Sequence, residues 1–423
     1  MDRLLVTGGA RLAGAVRISG AKNSALKLMA ASLLAPGRSV LDGVPRIQDC
    51  RTMGEVLEHL GAAVAWDDHR VEIDASRVSS LEAPYDLVRR MRASILVLGP
   101  LLARAGRARV AMPGGCNIGS RSIDLHVRGL ERMGATFRFE HGFLEAETPG
   151  LRGAVITLDF PSVGATENIL MAAVAARGTT VIENAAREPE LVDLADFLQA
   201  MGARIRGAGT STIEVEGVDR FRPTRHRVIP DRIEAGTFAL AACATGGSVV
   251  LEGARPDHLD LVLAKLAEVG ADVLATPEGV CVAMEGRPHP ADFVTLPYPG
   301  FPTDLQPQMM ALLAQASGTS IVTENVFESR FMFVDELRRM GADIRTEGHH
   351  AVIRGVERLQ AAPVRALDIR AGAAMVIAAL AAEGVTEVWD MYHVDRGYED
   401  FEAKLERLGA EVRRERALSP AVP

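Results

Sequence analysis

The chain reads as an α/β protein: two bodies of three repeats each, with helices inside and sheets outside. Three observations predict this. A short phrase recurs six times, an amphipathic helix precedes each copy, and every repeat holds a second helix that is apolar on nearly all sides. The phrase runs Leu60-Gly61-Ala62-Ala63-Val64, Met133-Gly134-Ala135-Thr136-Phe137, Met201-Gly202-Ala203-Arg204-Ile205, Val269-Gly270-Ala271-Asp272-Val273, Met340-Gly341-Ala342-Asp343-Ile344 and Leu408-Gly409-Ala410-Glu411-Val412. Its glycines are spaced by 73, 68, 68, 71 and 68 residues. A period held along a whole chain is the mark of stacked supersecondary units.

The amphipathic helix is clear in Glu188-Pro189-Glu190-Leu191-Val192-Asp193-Leu194-Ala195-Asp196-Phe197-Leu198, where apolar residues fall at helical spacing. The phrase glycine then stops the helix as a C-cap, and an apolar or β-branched strand follows. The second helices run from Asn23 to Leu34, Arg92 to Leu102, Thr166 to Ala175, Ile233 to Ala244, Leu305 to Ala316 and Ala371 to Ala382. A helix apolar all round must be buried all round. Half-polar sheets around central helices satisfy that, which inverts the usual α/β layering. The unit is of a βαβαββ type. The boundary between the two bodies is expected at Phe221-Arg222-Pro223-Thr224-Arg225-His226-Arg227.

The segments entering the buried helices are polar: Lys22, Asn23 and Ser24; Arg92 and Ser94; Ser162, Val163, Gly164 and Thr166; Asp231, Arg232 and Glu234; Thr303 and Asp304; Asp368 and Arg370. Helix N-termini attract anions, so a phosphate-ready cleft is expected if these ends face each other. Ser24, Ser94 and Thr166 read as N-caps. Lys22, Arg92 and Arg370 oppose the helix dipole, which implies anionic partners. Glu188 and Glu190 suit the dipole as solvated helix-start charges.

The chain has 423 residues, a net charge of −8 and four cysteines. No basic footprint for nucleic acid appears. Cys50, Cys116, Cys243 and Cys281 form neither a disulfide framework nor a zinc motif, and Cys243 and Cys281 read as buried small hydrophobes. No signal peptide or membrane span is expected, so the reading is a cytoplasmic protein without metal or cofactor. Cys116 differs from the other cysteines. It lies in Pro113-Gly114-Gly115-Cys116-Asn117-Ile118-Gly119-Ser120-Arg121-Ser122, a glycine-rich stretch expected to be a mobile loop, with Arg121 nearby. Nearby cations lower a thiol pKa, so a reactive thiol over a bound anion is expected. His126 reads as a hydrogen-bonded structural residue.

Several motifs together resemble the UDP-N-acetylglucosamine 1-carboxyvinyltransferase family of the EPSP synthase superfamily. They are Ile18-Ser19-Gly20-Ala21-Lys22-Asn23, Ala83-Pro84-Tyr85-Asp86-Leu87-Val88 with Met91-Arg92-Ala93-Ser94, the cysteine stretch, Glu183-Asn184-Ala185-Ala186-Arg187-Glu188-Pro189-Glu190, Phe301-Pro302-Thr303-Asp304 and His393-Val394-Asp395-Arg396-Gly397-Tyr398-Glu399. They span essentially the whole chain in order, and the resemblance implies a two-domain inside-out α/β barrel, in agreement with the repeats.

The resemblance implies transfer of the enolpyruvyl group of phosphoenolpyruvate to the 3′-hydroxyl of UDP-N-acetylglucosamine, with release of phosphate, opening peptidoglycan synthesis. It implies Cys116 as general acid and Asp304 as base, with Lys22, Arg121 and Arg396 clamping phosphoenolpyruvate. Arg330 and Arg370 complete the cationic wall beside Asp368. Asn23 meets the intermediate. Arg92, Arg121, Ser122, Ile123, Asp124, Leu125, Ser162, Val163, Gly164, Val326 and Phe327 hold the nucleotide sugar. Residues 21–229 are then one body; residues 1–20 with 230–423 are the other, around an interdomain active site. A monomer acting on small molecules is expected, with neither nucleic acid nor membrane as partner. So is alkylation of Cys116 by an epoxide phosphonate such as fosfomycin, read as a mass increase.

Two residues depart from the family pattern: Phe160 stands where a basic residue is common, and Ser122 where proline is usual. Two alternatives stay open, a transferase like 5-enolpyruvylshikimate-3-phosphate synthase and a non-catalytic UDP-sugar-binding regulatory paralogue.

Overall fold

A computed structural model describes residues 2–112 and 123–416. These form two compact units, one of residues 20–112 and 123–229, the other of residues 2–19 and 230–416. Each unit holds three four-stranded sheets. In the sheet of the third repeat, Val155–Thr157 pairs in parallel with Thr179–Glu183, and Thr212–Glu216 and Arg204–Arg206 complete it antiparallel. Its strands are one-sided, as period-2 alternation requires: Ile213 and Val215 face in, while Thr212, Glu214 and Glu216 face solvent.

The helices predicted to be buried are buried. In the first unit they are α1 (Lys22–Ala31), α2 (Leu98–Ala105) and α3 (Val163–Ala173). In the second they are α4 (Arg232–Ala244), α5 (Gln306–Leu313) and α6 (Ile369–Ala381). Residues 369–380 are buried without exception. Each unit has one contiguous apolar core, so the inverted layering follows from the sequence as read. The entries to α2 and α5 are tighter than expected: Arg92–Val97 and Thr303–Leu305 are 3₁₀ turns. All six phrase glycines adopt positive φ, from 87° to 111°, the left-handed stop a helix C-terminus favours.

The ends of the chain are distributed in a way the repeats alone do not reveal. Asp2–Thr7 lies between Val385–Trp389 and Glu411–Arg416 in the sixth sheet, antiparallel to both. Ala13–Arg17 pairs in parallel with Ser248–Glu252 of the fourth sheet. Arg225–Arg227, inside the stretch read as a boundary, is instead a strand beside Arg38–Asp42.

A tight crossing recurs where the last strand of a repeat leaves its sheet. The N–H of Gly217 donates to Gly178 O at 3.0 Å, and the next N–H reaches Val174 O at 2.8 Å. Gly355 and Gly8 make the same crossings in the fifth and sixth repeats, to Gly318 O and Gly384 O, each at 2.9 Å. A Cβ on Gly217, Gly355 or Gly8 would stand 1.6, 1.8 or 1.9 Å from a backbone oxygen.

Four sequence expectations are corrected. Ser24 and Ser94 are not N-caps: Ala21 and Met91 hold those positions, and the Ser24 hydroxyl donates to Asp193 instead. Thr166 lies inside α3, whose cap is Ser162, accepting from Ala165 N–H at 3.3 Å; the Thr166 hydroxyl donates to Ser162 O. Glu188 and Glu190 are buried, 8% and 2% exposed, rather than solvated. Cys281 is half-buried in Gly279–Ala283, whereas Cys243 is buried and its thiol is pushed up to about 12 by that burial.

Glu188 and Glu190 belong to a buried acidic group around Glu167 of α3, which pairs with Lys27 of α1. Burial pushes the Glu167 carboxyl up to about 7, against the pull of Lys27. The folded state therefore keeps a proton that the unfolded chain releases nearer 4.5. Between those values the folded state binds more protons, so stability falls as pH rises through that window. The thermal midpoint of the wild type is expected to fall more steeply from pH 5 to pH 7.5 than that of Glu167→Gln; parallel profiles would contradict the buried proton.

Candidate active site

In the unit of residues 2–19 and 230–416, three turns place charged side chains around one carboxylate. Asp304 sits in the 3₁₀ turn that opens α5, after Pro302. Arg330 opens the 3₁₀ turn Arg330–Phe333. Arg370 is the second residue of α6, whose N-cap Asp368 accepts from the N–H groups of Arg370 and Ala371 at 2.7 and 3.1 Å. Nη2 of Arg330 donates to Asp304 Oδ1 at 3.3 Å. Nε and Nη2 of Arg370 donate to Asp304 Oδ2 at 3.3 and 3.1 Å.

The two guanidinium side chains are 1% and 6% exposed, the carboxylate 25%. Two buried cations thus share one partly open anion. Burial opposes the charge on Arg370, but Asp304 and Tyr398 hold its pKa above the ordinary arginine value. Arg330 Nε and Arg370 Nη1 are buried without a hydrogen-bond partner among the described residues. Unsatisfied buried donors on cations are costly and suit a further anion.

Around this cluster, Glu324 Oε1 accepts from the N–H groups of Val326 and Phe327 at 2.8 and 3.0 Å. The Phe327 ring lies 6.0 Å from Arg330 Cζ. Arg396 follows the short helix Tyr392–Asp395 and is half-buried. Two residues further on, Tyr398 lies with its ring 5.4 Å from Arg370 Cζ.

The other unit holds a second set. Lys22 Nζ meets Asp49 Oδ2 at 2.7 Å, both buried, so the anionic partner that its place at a helix start required is present. Asn23 is half-buried beside it. Ile123 holds the N-cap position of the helix Asp124–Arg132, which Asp124 and Leu125 open and which carries His126. Asn168 orders this region: its Oδ1 accepts from Gly99 N–H at 2.8 Å, so its Nδ2 donates to Ile95 O at 3.0 Å and to His126 Nδ1 at 2.9 Å. His126 therefore carries its proton on Nε2. Burial, then Arg92, lowers its pKa to about 4, so the ring is neutral at pH 7. Its Nε2 faces Gly164, 3.3 Å from where a Cβ would stand, and so borders the Ser162–Val163–Gly164 start of α3. Phe160 is 40% exposed nearby in sequence.

The structure thus joins Asp304, Arg330, Arg370 and Asp368 in one unit, and pairs Lys22 with Asp49 in the other. Cys116, Arg121 and Ser122 lie outside the described residues. Asp49, Glu324 and Tyr398 escaped the reading of site residues from the sequence. Asp49 could have been sought, since a buried helix-start lysine demanded a partner.

A family model described as EPSP synthase (3-phosphoshikimate 1-carboxyvinyltransferase) matches residues 6–405. A relative from Carboxydothermus hydrogenoformans, named UDP-N-acetylglucosamine 1-carboxyvinyltransferase 2, is 56% identical over 416 residues, 98% of this chain and 99% of its own. The UDP-N-acetylglucosamine 1-carboxyvinyltransferase of Corynebacterium jeikeium is 56% identical over 413 residues, again 98% and 99% of the two chains. Among solved structures, the enolpyruvyl transferase NikO from Streptomyces tendae matches with a TM-score of 0.89 at 28% identity over 99% of each chain. An EPSP synthase from Acinetobacter baumannii matches at 0.76 and 19% identity, over 98% of this chain and 100% of its own, a likeness of fold.

Proposed function

The chain belongs to the EPSP synthase family, and from that premise we infer that it transfers the enolpyruvyl group of phosphoenolpyruvate to the 3′-hydroxyl of UDP-N-acetylglucosamine. The reaction adds, then eliminates. The sugar oxygen bonds to C2 of phosphoenolpyruvate as its proton leaves to a base and C3 gains a proton from an acid. The C2–O bond to phosphate then breaks as C3 returns a proton, leaving the enol ether. The product is a precursor of peptidoglycan.

The observation that carries this reading is Asp304 held between Arg330 and Arg370, each guanidinium with a buried N–H to spare. Such an arrangement joins a proton acceptor to preorganised positive charge, the usual source of the largest catalytic term. In this proposal Asp304 takes the hydroxyl proton and Cys116 supplies the proton to C3. Lys22, Arg121 and Arg396 hold the phosphate and carboxylate of phosphoenolpyruvate, with Arg330 and Arg370 behind Asp304. Asn23 contacts the adduct. Arg92, Arg121 to Leu125, Ser162 to Gly164, Val326 and Phe327 hold the nucleotide sugar. The protein works as a monomer in the cytoplasm, and no helix among the described residues is long and apolar enough to cross a membrane.

Phosphate release with phosphoenolpyruvate and either UDP-N-acetylglucosamine or shikimate 3-phosphate tests the acceptor. Turnover with the nucleotide sugar alone is expected. Turnover with shikimate 3-phosphate instead, or with neither at saturation, would overturn the assignment.

A further inference from the structure

Asp193 is a buried carboxylate that none of the proposed catalytic or binding roles uses. It projects from the helix Pro189–Ala200 and is 4% exposed. Three groups from two distant stretches of chain converge on it. The Ser24 hydroxyl donates to Oδ2, and Ile229 N–H reaches the same oxygen at 3.4 Å. His226 Nε2 lies 2.7 Å from Oδ1, its ring packed edge-on against Phe197 at 5.5 Å. Ile229 O in turn accepts from Ala21 N–H at 2.7 Å.

These bonds close a ring. Ala21, the start of α1, has no side-chain cap, and the backbone of Ile229 holds it from one side. Ser24, one turn on, is held by Asp193, and Asp193 also holds Ile229. Between these two anchors stand Lys22 and Asn23, so the clasp fixes the first turn of α1 at both edges of the pair.

The other unit repeats the device with different chemistry. Asp231 N–H donates to Ser19 O at 2.9 Å, as Ala21 does to Ile229. Glu234 follows Asp231 at the interval by which Ser24 follows Ala21. Its Oε2 accepts from Ser19 N–H at 2.6 Å, and its Oε1 from Lys404 Nζ at 2.5 Å. Lys404, like Asp193, projects from the outer helix of the last repeat in its unit. The sequence chooses different charges at equivalent places yet conserves the closure, which argues for a geometric purpose.

We propose that Asp193 is a positioning residue that acts through Ser24 and Ile229 to fix Lys22 and Asn23 for phosphoenolpyruvate. The proposal rests on the reading of those two residues as substrate contacts. A small displacement of a positioned cation weakens one substrate selectively, and misplacement of this kind carries a large kinetic cost. The bulk of the fold does not depend on it, because α1 is also packed along its whole apolar length in the core.

Steady-state kinetics of Ser24→Ala and Asp193→Asn, beside the wild type and with thermal midpoints recorded, tests this. Both variants are expected to raise KM for phosphoenolpyruvate about tenfold while KM for UDP-N-acetylglucosamine stays within about twofold. A purely structural role would lower the midpoint and the active fraction without that split. If Asp193→Asn does not fold, Ser24→Ala, which removes one hydroxyl, decides. Unchanged or equally changed KM values in an active background overturn the positioning role. Absence of phosphate release by the wild type would instead overturn the assigned reaction.

Discussion

Replacing Asp304 by asparagine is expected to lower turnover by about 10²–10⁴-fold, the range typical of losing a general base. The amide keeps the shape but cannot take the proton of the sugar hydroxyl. It also presents an N–H to guanidinium groups that now find one acceptor oxygen instead of two. Removing one partner from a buried charge cluster is destabilising, so the thermal midpoint of Asp304→Asn should fall as well. The two effects separate in a single-turnover experiment on folded protein at saturating substrates. There the rate of phosphate release reports chemistry, and a loss smaller than about tenfold would remove Asp304 from the base role. Arg330→Ala and Arg370→Ala leave the carboxylate in place, so their losses should fall mainly on phosphoenolpyruvate binding.

Gly217→Ala is expected to destabilise its unit by about 3 kcal/mol, a fall of roughly 6–12 °C in thermal midpoint. Its new methyl group would stand 1.6 Å from Ala176 O. No rotamer relieves that contact, because the backbone fixes where the Cβ stands and Ala176 O is itself a backbone atom. The crossing itself must open, with loss of the bonds from the Gly217 and Val218 N–H groups to Gly178 O and Val174 O. Gly142→Ala is the control: its glycine has positive φ, which Gly217 does not, but nothing lies within 4 Å of the added carbon, so only backbone strain of about 1 kcal/mol applies. Equal midpoints for the two variants would contradict the steric account.

What could be read in advance follows the range of the forces involved. The phrase glycines and the all-apolar helices are local signals, because a helix stop and a buried helix each leave their mark within a few residues. The strand exchange is not local. Asp2–Thr7, Ala13–Arg17 and Arg225–Arg227 find partners more than a hundred residues away, and nothing in their own composition names those partners. Ser24 and Thr166 look like caps because hydroxyls at helix starts serve nearby N–H groups by default; Ser24 instead meets Asp193, and Thr166, already inside α3, accepts from Ala186 N–H. Glu188 and Glu190 look solvated by residue type alone, since a carboxylate is rarely buried. A usable signal did exist for their surroundings: Lys27 interrupts Ala25-Leu26-Lys27-Leu28-Met29 inside an apolar helix, and a charge there requires a buried counter-charge such as Glu167. At the site, Lys22 and Arg370 were legible by the same logic of a cation placed against a dipole, and each has its carboxylate. Tyr398 and Asp193 were not, because a tyrosine or aspartate on an otherwise ordinary helix or turn gives no sign of what it will meet.

Thr7 pairs with Val385 and Glu411, so Asp2–Thr7 can complete its sheet only after Val385–Trp389 and Glu411–Arg416 have been made. Residues 20–112 and 123–229, whose apolar core uses neither of those strands, are made in the interval. Until then Asp2–Thr7 has open backbone edges, a state prone to mispairing with other chains. Its shortness and the polar Arg3 and Thr7 on its outward face limit that hazard.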